Sequence, residues 1–202
     1  MKRVADRLTR GLPSGYRVLI EWLSTIALAL AVVGGAKAWF VSPYRIPTSS
    51  MEPTLHCARP ADGCEARFSD RVIAARFVYL FREPKRGEMV VFHVPDAAER
   101  ACAGGPGGVF VKRLIGLPGD TVSMGVNNVV RINGKPLREP YLASSRRGGL
   151  EGTWHVPKGQ YFFMGDNRAS SCDSREWGSV PRHNLIGPLV LTYWPPQRIS
   201  TH

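Results

Sequence analysis

From Val18 to Val41 the chain is mostly apolar, interrupted by Glu21 near the start and Lys37 near the end. About 22 residues at 1.5 Å each span roughly 33 Å as a helix, enough for the hydrocarbon core of a bilayer. Glu21 and Lys37 fall where an interfacial charge reaches water, and Trp22, Trp39 and Phe40 mark the two interfaces. Ahead of this run, Lys2, Arg3, Arg7, Arg10 and Arg17 face a single acid, Asp6. The positive-inside rule then predicts residues 1–17 as a cytoplasmic tail, 18–41 as a single transmembrane helix, and 42–202 as an extracytoplasmic domain on a cell membrane. Ala36-Lys37-Ala38 offers the competing reading of a cleavable signal peptide, but the apolar run continues past it through Trp39-Phe40-Val41, which fits an anchor better.

Beyond the run the pattern becomes that of strands. Asp70–Tyr79, Glu88–Val94 and Val109–Gly116 are rich in β-branched and aromatic residues and bounded by Gly, Pro or Asp. Leu117–Asp120 reads as a turn, and Val129–Ile132 followed by Asn133-Gly134 reads as a hairpin. Gln160–Met164 and Leu189–Trp194 are further strands, whereas Arg146–Gly152 reads as a loop. No long amphipathic helical pattern follows Val41. The fold expected is mainly β: an antiparallel β-sheet domain, Ser42–His202, behind one membrane helix, without internal repeats.

Length and charge narrow the function. A chain of 202 residues holds one domain with a sizeable core and a short appendage. Its formal charge of +11 suits an anionic surface. The basic residues are scattered singly or in pairs, with no zinc-finger spacing or RNA-binding signature, so acidic lipid is the expected partner and nucleic acid is not. Four cysteines, Cys57, Cys64, Cys102 and Cys172, form no C-x-x-C pair. In an extracytoplasmic domain, disulfides Cys57–Cys64 and Cys102–Cys172 are one reading and four free thiols the other.

Three clusters could carry chemistry. Tyr44–Leu55, YRIPTSSMEPTL, lies among Pro43, Pro47 and Pro53, which stiffen it into an extended or turning loop around Ser50. Stiffness suits a nucleophile, since misplacement by about 1 Å can cost ~100-fold in rate. A serine needs a base. No G-x-S-x-G elbow surrounds any serine, and His56, His93, His155, His183 and His202 read as structural or surface residues. Lys112, inside Val109–Ile115, is the alternative: strand alternation puts Phe110 and Leu114 on its face and sends Arg113 to the other. Hydrocarbon neighbours disfavour the ammonium, and a neutral amine can take a serine proton. In Gly165–Arg175, GDNRASSCDSR, acids and arginines can lock a loop by charge-assisted hydrogen bonds. The arginines compete with any cation and no EF-hand spacing exists, so neither metal nor cofactor is expected.

In order and spacing, IPTSSMEPTL, VKRLIGLPGD and GDNRASSCDSREWGSVP resemble the serine, lysine and GDN boxes of type I signal peptidases, and RGEMVVFHVP resembles the box between the first two. The resemblance implies a membrane-anchored serine endopeptidase that cleaves signal peptides from exported preproteins with a Ser-Lys dyad. It makes Ser50 the nucleophile and Lys112 the general base, and it gives the oxyanion hole to the Thr48 hydroxyl and the Ser50 N–H. Ser171 would orient Lys112, while Asp173 with Arg175 and Asp166 with Arg113 would brace the site. Ile46, Pro47, Met51 and Val111 would wall shallow pockets for small side chains at substrate positions −1 and −3.

The chain departs from that pattern at named places. Ala169 stands at a commonly acidic position, so one bracing contact is expected to be missing; Glu88 replaces a frequent Asp. His56–Ser69 is an insertion before the usual Gly-Asp turn, and one anchor is visible where some relatives have two. Two alternatives remain: a processing peptidase dedicated to one substrate such as a pilin, and an anchored β domain that binds peptides without cutting them.

Overall fold

The computed structural model describes residues 13–102 and 108–202. Its contacts divide between Phe40 and Val41 into two compact units. The first is helix α1, Ser14–Phe40, 27 residues long. Within it Val18–Gly35 has a mean hydropathy of 2.0 and buries nothing, so by length and composition it can cross a membrane. Lys2, Arg3, Asp6, Arg7 and Arg10, and the side chains of Arg17, Lys37 and Trp39, lie outside the described residues.

The second unit is mainly β. In chain order its strands are β1 (Val41–Arg45), β2 (Arg71–Ala75), β3 (Met89–His93), β4 (Val109–Gly116), β5 (Thr121–Met124) and β6 (Val130–Ile132). They continue with β7 (Lys135–Pro136), β8 (Gly152–His155), β9 (Gln160–Met164), β10 (Val180–Pro181), β11 (Leu185–Trp194) and β12 (Ser200–Thr201). One antiparallel sheet runs β1-β2-β11-β3-β4-β9-β10, with β12 beside β11; a smaller one runs β7-β6-β5-β8. Short helices α2 (Val78–Phe81), α3 (Asp96–Ala101) and α4 (Ser174–Trp177) fill connections.

The strands at 109–116 and 160–164 lie where their β-branched and aromatic runs predict them. Asn133 and Gly134 both take positive φ, 51° and 80°, as the two-residue hairpin turn requires. Other elements differ from expectation. Asp70–Tyr79 is not one strand: β2 stops at Ala75, and α2 turns Tyr79 into the core while Leu80 and Phe81 stay exposed. The apolar pattern places Val41 in the transmembrane helix, but that residue begins β1. Leu189–Trp194 is the second half of a longer strand that begins at Leu185. Pro188 sits inside it opposite Val90, and the register shifts ahead of it, between Leu185 and Gly187.

Among the described residues, three larger hydrophobic cores support the sheets, beside a small cluster of Ala74, Val91 and Ile186. Val90, Phe92, Leu114, Tyr161, Phe163 and Trp177 fill one, where Phe92 stacks on Phe163 at 4.5 Å. Ile115, Val122, Ile132, Val156 and Phe162 join the two sheets across Gly116, whose added Cβ would lie 2.7 Å from Val122. The third gathers Ile46, Met51, Leu55, Cys57, Cys64, Val72, Met89 and Leu189 beneath the Ile46–Leu55 loop.

Candidate active site

That third core is why the proline-rich loop has one shape. Ile46, Met51 and Leu55 are 3%, 1% and 0% exposed, so the segment is pinned at three points along its length. Burial of each such side chain contributes about 1.5–3 kcal/mol. A single 3-10 turn, Ser49–Met51, then lifts Ser50 toward solvent. The Ser50 hydroxyl lies 3.3 Å from Thr48 Oγ1. Behind it, the Ser50 carbonyl accepts from Asn167 N at 3.0 Å and the Ser49 carbonyl from Asn167 Nδ2 at 3.1 Å.

Lys112 is the middle of β4, opposite Val90 on β3. On its other side β4 pairs with β9 only from Arg113 onward, so Val109–Lys112 borders a cleft. The side chain is 4% exposed and its Nζ stands 5.6 Å from the centre of the Phe110 ring. Nζ donates a 3.0 Å hydrogen bond to Ser171 Oγ. Burial removes water from the ammonium and lowers the lysine pKa from 10.5 to about 8; Asp173, Asp166 and Glu176 pull it up, Arg175 down.

The Gly165–Arg175 segment joins the two groups. Gly165 lies between them, and a Cβ there would meet Ser171 Oγ at 2.2 Å and the Ser50 carbonyl oxygen at 2.4 Å. Asp166, fully buried, accepts from Arg113 Nε at 2.8 Å, from Arg113 Nη2 at 2.5 Å and from Thr54 Oγ1 at 2.6 Å. Asp173 accepts from Arg175 Nε at 2.8 Å and from Gly165 N at 2.9 Å. Arg175 also donates to the carbonyls of Arg168 and Gly148, at 2.7 Å and 3.0 Å.

Ile46, Pro47, Thr48, Ser50, Met51, Val111 and Lys112 line one cleft of about 450 Å³, together with Tyr44, Phe110, Cys102 and Cys172. Ser171, Asp166, Arg113, Asp173 and Arg175 stand behind that lining. No hydrogen bond joins Ser50 Oγ to Lys112 Nζ directly: the serine pairs with Thr48 and the lysine with Ser171. Catalytic hydrogen bonds are often loose in unliganded enzymes and close on the substrate complex. A hydroxyl and a dry amine facing one strand-lined cleft can perform acyl transfer.

Several contributors carried no signal in the sequence. Glu139, buried, pairs with Arg168. Tyr141 packs its ring 3.8 Å from the Arg113 guanidinium. Asn167 and Gly165 belong to the GDN box without a role readable from spacing. The cysteines, by contrast, take the paired one of their two readings, with disulfides joining Cys57 to Cys64 and Cys102 to Cys172. Glu52, His56 and Glu65 bring potential ligand atoms within 4.8 Å of one another. Glu52 Oε1 accepts from the Cys57 and Glu65 N–H groups at 3.1 Å and 3.3 Å, its Oε2 lies 2.5 Å from His56 Nδ1, and Glu65 pairs with Arg146.

Comparison with known proteins gives a consistent set of relatives. Residues 19–194 match the family described as signal peptidase, peptidase S26. A signal peptidase I of Leptolyngbya laminosa is 36% identical over 93% of this chain and 86% of its own. A probable signal peptidase I-2 of Synechocystis is 39% identical over 90% of this chain and 76% of its own. A solved signal peptidase I from Enterococcus faecalis is 31% identical, covers 54% of this chain and 98% of its own, and has a TM-score of 0.44.

Proposed function

The chain belongs to the signal peptidase family, peptidase S26, and from that premise we propose a serine endopeptidase that removes signal peptides with Ser50 as nucleophile and Lys112 as base. The observation that carries this reading is a lysine buried at the floor of the cleft that Ser50 lines, with its pKa brought down to about 8. At pH 7.5 roughly a quarter of such a lysine is neutral, against about 0.1% for one titrating at 10.5.

The neutral Lys112 amine takes the Ser50 proton while Oγ attacks the scissile carbonyl carbon. Thr48 Oγ1, 3.3 Å from the nucleophile, and the Ser50 N–H are the donors for the oxygen that becomes negative. Collapse breaks the C–N bond, and the Lys112 ammonium protonates the departing amine. Water, deprotonated by the same amine, then hydrolyses the Ser50 ester. Ser171 fixes the amine by the 3.0 Å bond, and the Arg113–Asp166 and Arg175–Asp173 pairs brace the two loops. Ile46, Pro47, Met51 and Val111 supply an apolar wall that fits small side chains of an extended peptide, which would lie along the open edge of Val109–Lys112.

α1 is the membrane anchor in this reading, with residues 1–17 in the cytoplasm, 18–40 in the bilayer and 41–202 on the far side. The basic residues ahead of the apolar run and the two disulfides beyond it support that orientation. Substrates are signal peptides of exported preproteins, met at the bilayer surface. The test is cleavage of a panel of unrelated preproteins by purified full-length protein and its Ser50→Ala and Lys112→Met variants. Wild type cuts several and the variants none; cutting of one preprotein alone indicates a dedicated processing peptidase, and activity in either variant removes the dyad.

A further inference from the structure

Cys172 immediately follows Ser171, the residue that receives the Lys112 amine, and its sulfur is bonded to Cys102 at the end of α3. Both half-cystines line the cleft, on the side of Phe110, and both pack against the aromatic core. The cross-link spans 70 residues of chain, from the connection after β3 to the loop after β9. We propose that the Cys102–Cys172 disulfide is a positioning element for the Lys112–Ser171 pair and a wall of the substrate cleft, resting on the reading of Lys112 as base.

The geometry gives it two duties. Its Cys172 end fixes the backbone from which Ser171 reaches Nζ, in a segment held otherwise by Asp173 and Arg175 and by the Gly165 contact. Its Cys102 end holds α3, whose Ala98 is buried in the same core as Phe110, against the approach to the lysine. Opening the bond frees both sides at once. Water then reaches an amine whose charged neighbours, Asp173, Asp166, Glu176 and Arg175, stay in place. The ammonium gains solvation and the acid limb of the rate profile moves up in pH. Cys57–Cys64 makes no such contact: it packs under the Ile46–Leu55 loop, in the other core.

The experiment compares full-length wild type, Cys102→Ser/Cys172→Ser and, as a control, Cys57→Ser/Cys64→Ser, in detergent micelles. The substrate is a fluorogenic signal peptide with alanine at positions −3 and −1, and kcat and KM are measured across pH. The proposal expects the Cys102/Cys172 variant to lose about tenfold or more in kcat/KM, with its acid limb shifted toward higher pH. Raising the pH should recover much of its rate. The control keeps the wild-type limb. An unchanged limb and a rate within twofold, with only the melting temperature lowered, reduce this disulfide to a structural staple and overturn the proposal. A limb that moves equally in the control overturns it too. Ser50→Ala is run alongside: cleavage there, or none by wild type, refutes the peptidase reading itself and is distinguishable from either outcome.

Discussion

Asn167 holds Ser50. Its backbone N–H donates to the Ser50 carbonyl at 3.0 Å, so the loop that carries Ser171, the partner of the lysine, also grips the loop that carries the serine. The serine and lysine come from segments 62 residues apart in sequence, and a third segment measures the space between them. Gly165 sets that spacing, because it passes both Ser171 and Ser50 with no room for a side chain.

Gly165→Ala therefore tests the spacing. The added methyl group would sit 2.2 Å from Ser171 Oγ and 2.4 Å from the Ser50 oxygen, so one loop must move. A displacement near 1 Å lowers kcat/KM by about 100-fold. Far-UV circular dichroism should remain that of the wild type, since the contact lies at the site and not across a sheet.

Lys112→Met should be inactive and more stable. Folding takes the lysine pKa from 10.5 down to about 8, so below pH 8 the folded state holds a proton it disfavours, worth roughly 3 kcal/mol. Between pH 8 and 10.5 the unfolded chain binds more protons than the folded one, and wild-type stability rises with pH. The thermal advantage of Lys112→Met is thus largest near neutral pH and shrinks as pH approaches 10.5. A variant less stable than wild type at pH 7 would contradict a dry, disfavoured ammonium.

Thr48→Val separates the oxyanion role from packing. It keeps the β-branched shape and removes the hydroxyl that lies 3.3 Å from Ser50 Oγ. Loss of one oxyanion donor lowers kcat about 100- to 1000-fold. KM should change little and Thr48→Ser should restore the rate; a fall in Thr48→Ser equal to that in Thr48→Val would assign Thr48 to packing.

Asp166→Asn leaves the Arg113 guanidinium without its charge partner among buried groups. Breaking such a pair from one side costs about 3–5 kcal/mol. Denaturant unfolding should show this loss, with activity falling in parallel as Thr54 also loses its acceptor.

The strand at 109–116 and its lysine were legible because a β-branched run between glycines admits one reading, and the alternation placed Phe110 beside Lys112. The serine and GDN segments were legible as boxes in a fixed order. β5 and β8 were not: they are four residues each, β5 alternating buried and half-buried positions and β8 mostly exposed, with no continuous apolar run. Gly187 and Pro188 hid the first half of β11, since both read as breakers. Glu139 and Tyr141 escaped for a different reason. They sit in an irregular stretch, and only the fold brings them to Arg168 and Arg113.

The central claim is that a neutral Lys112 activates Ser50, and the pH dependence of kcat/KM for preprotein cleavage reports the free enzyme's base. The account predicts a rate that rises with pH through a midpoint of about 8, the value at which the buried amine gives up its proton. A midpoint near 10.5, or a limb near 6.5 that belongs to a histidine, would contradict it.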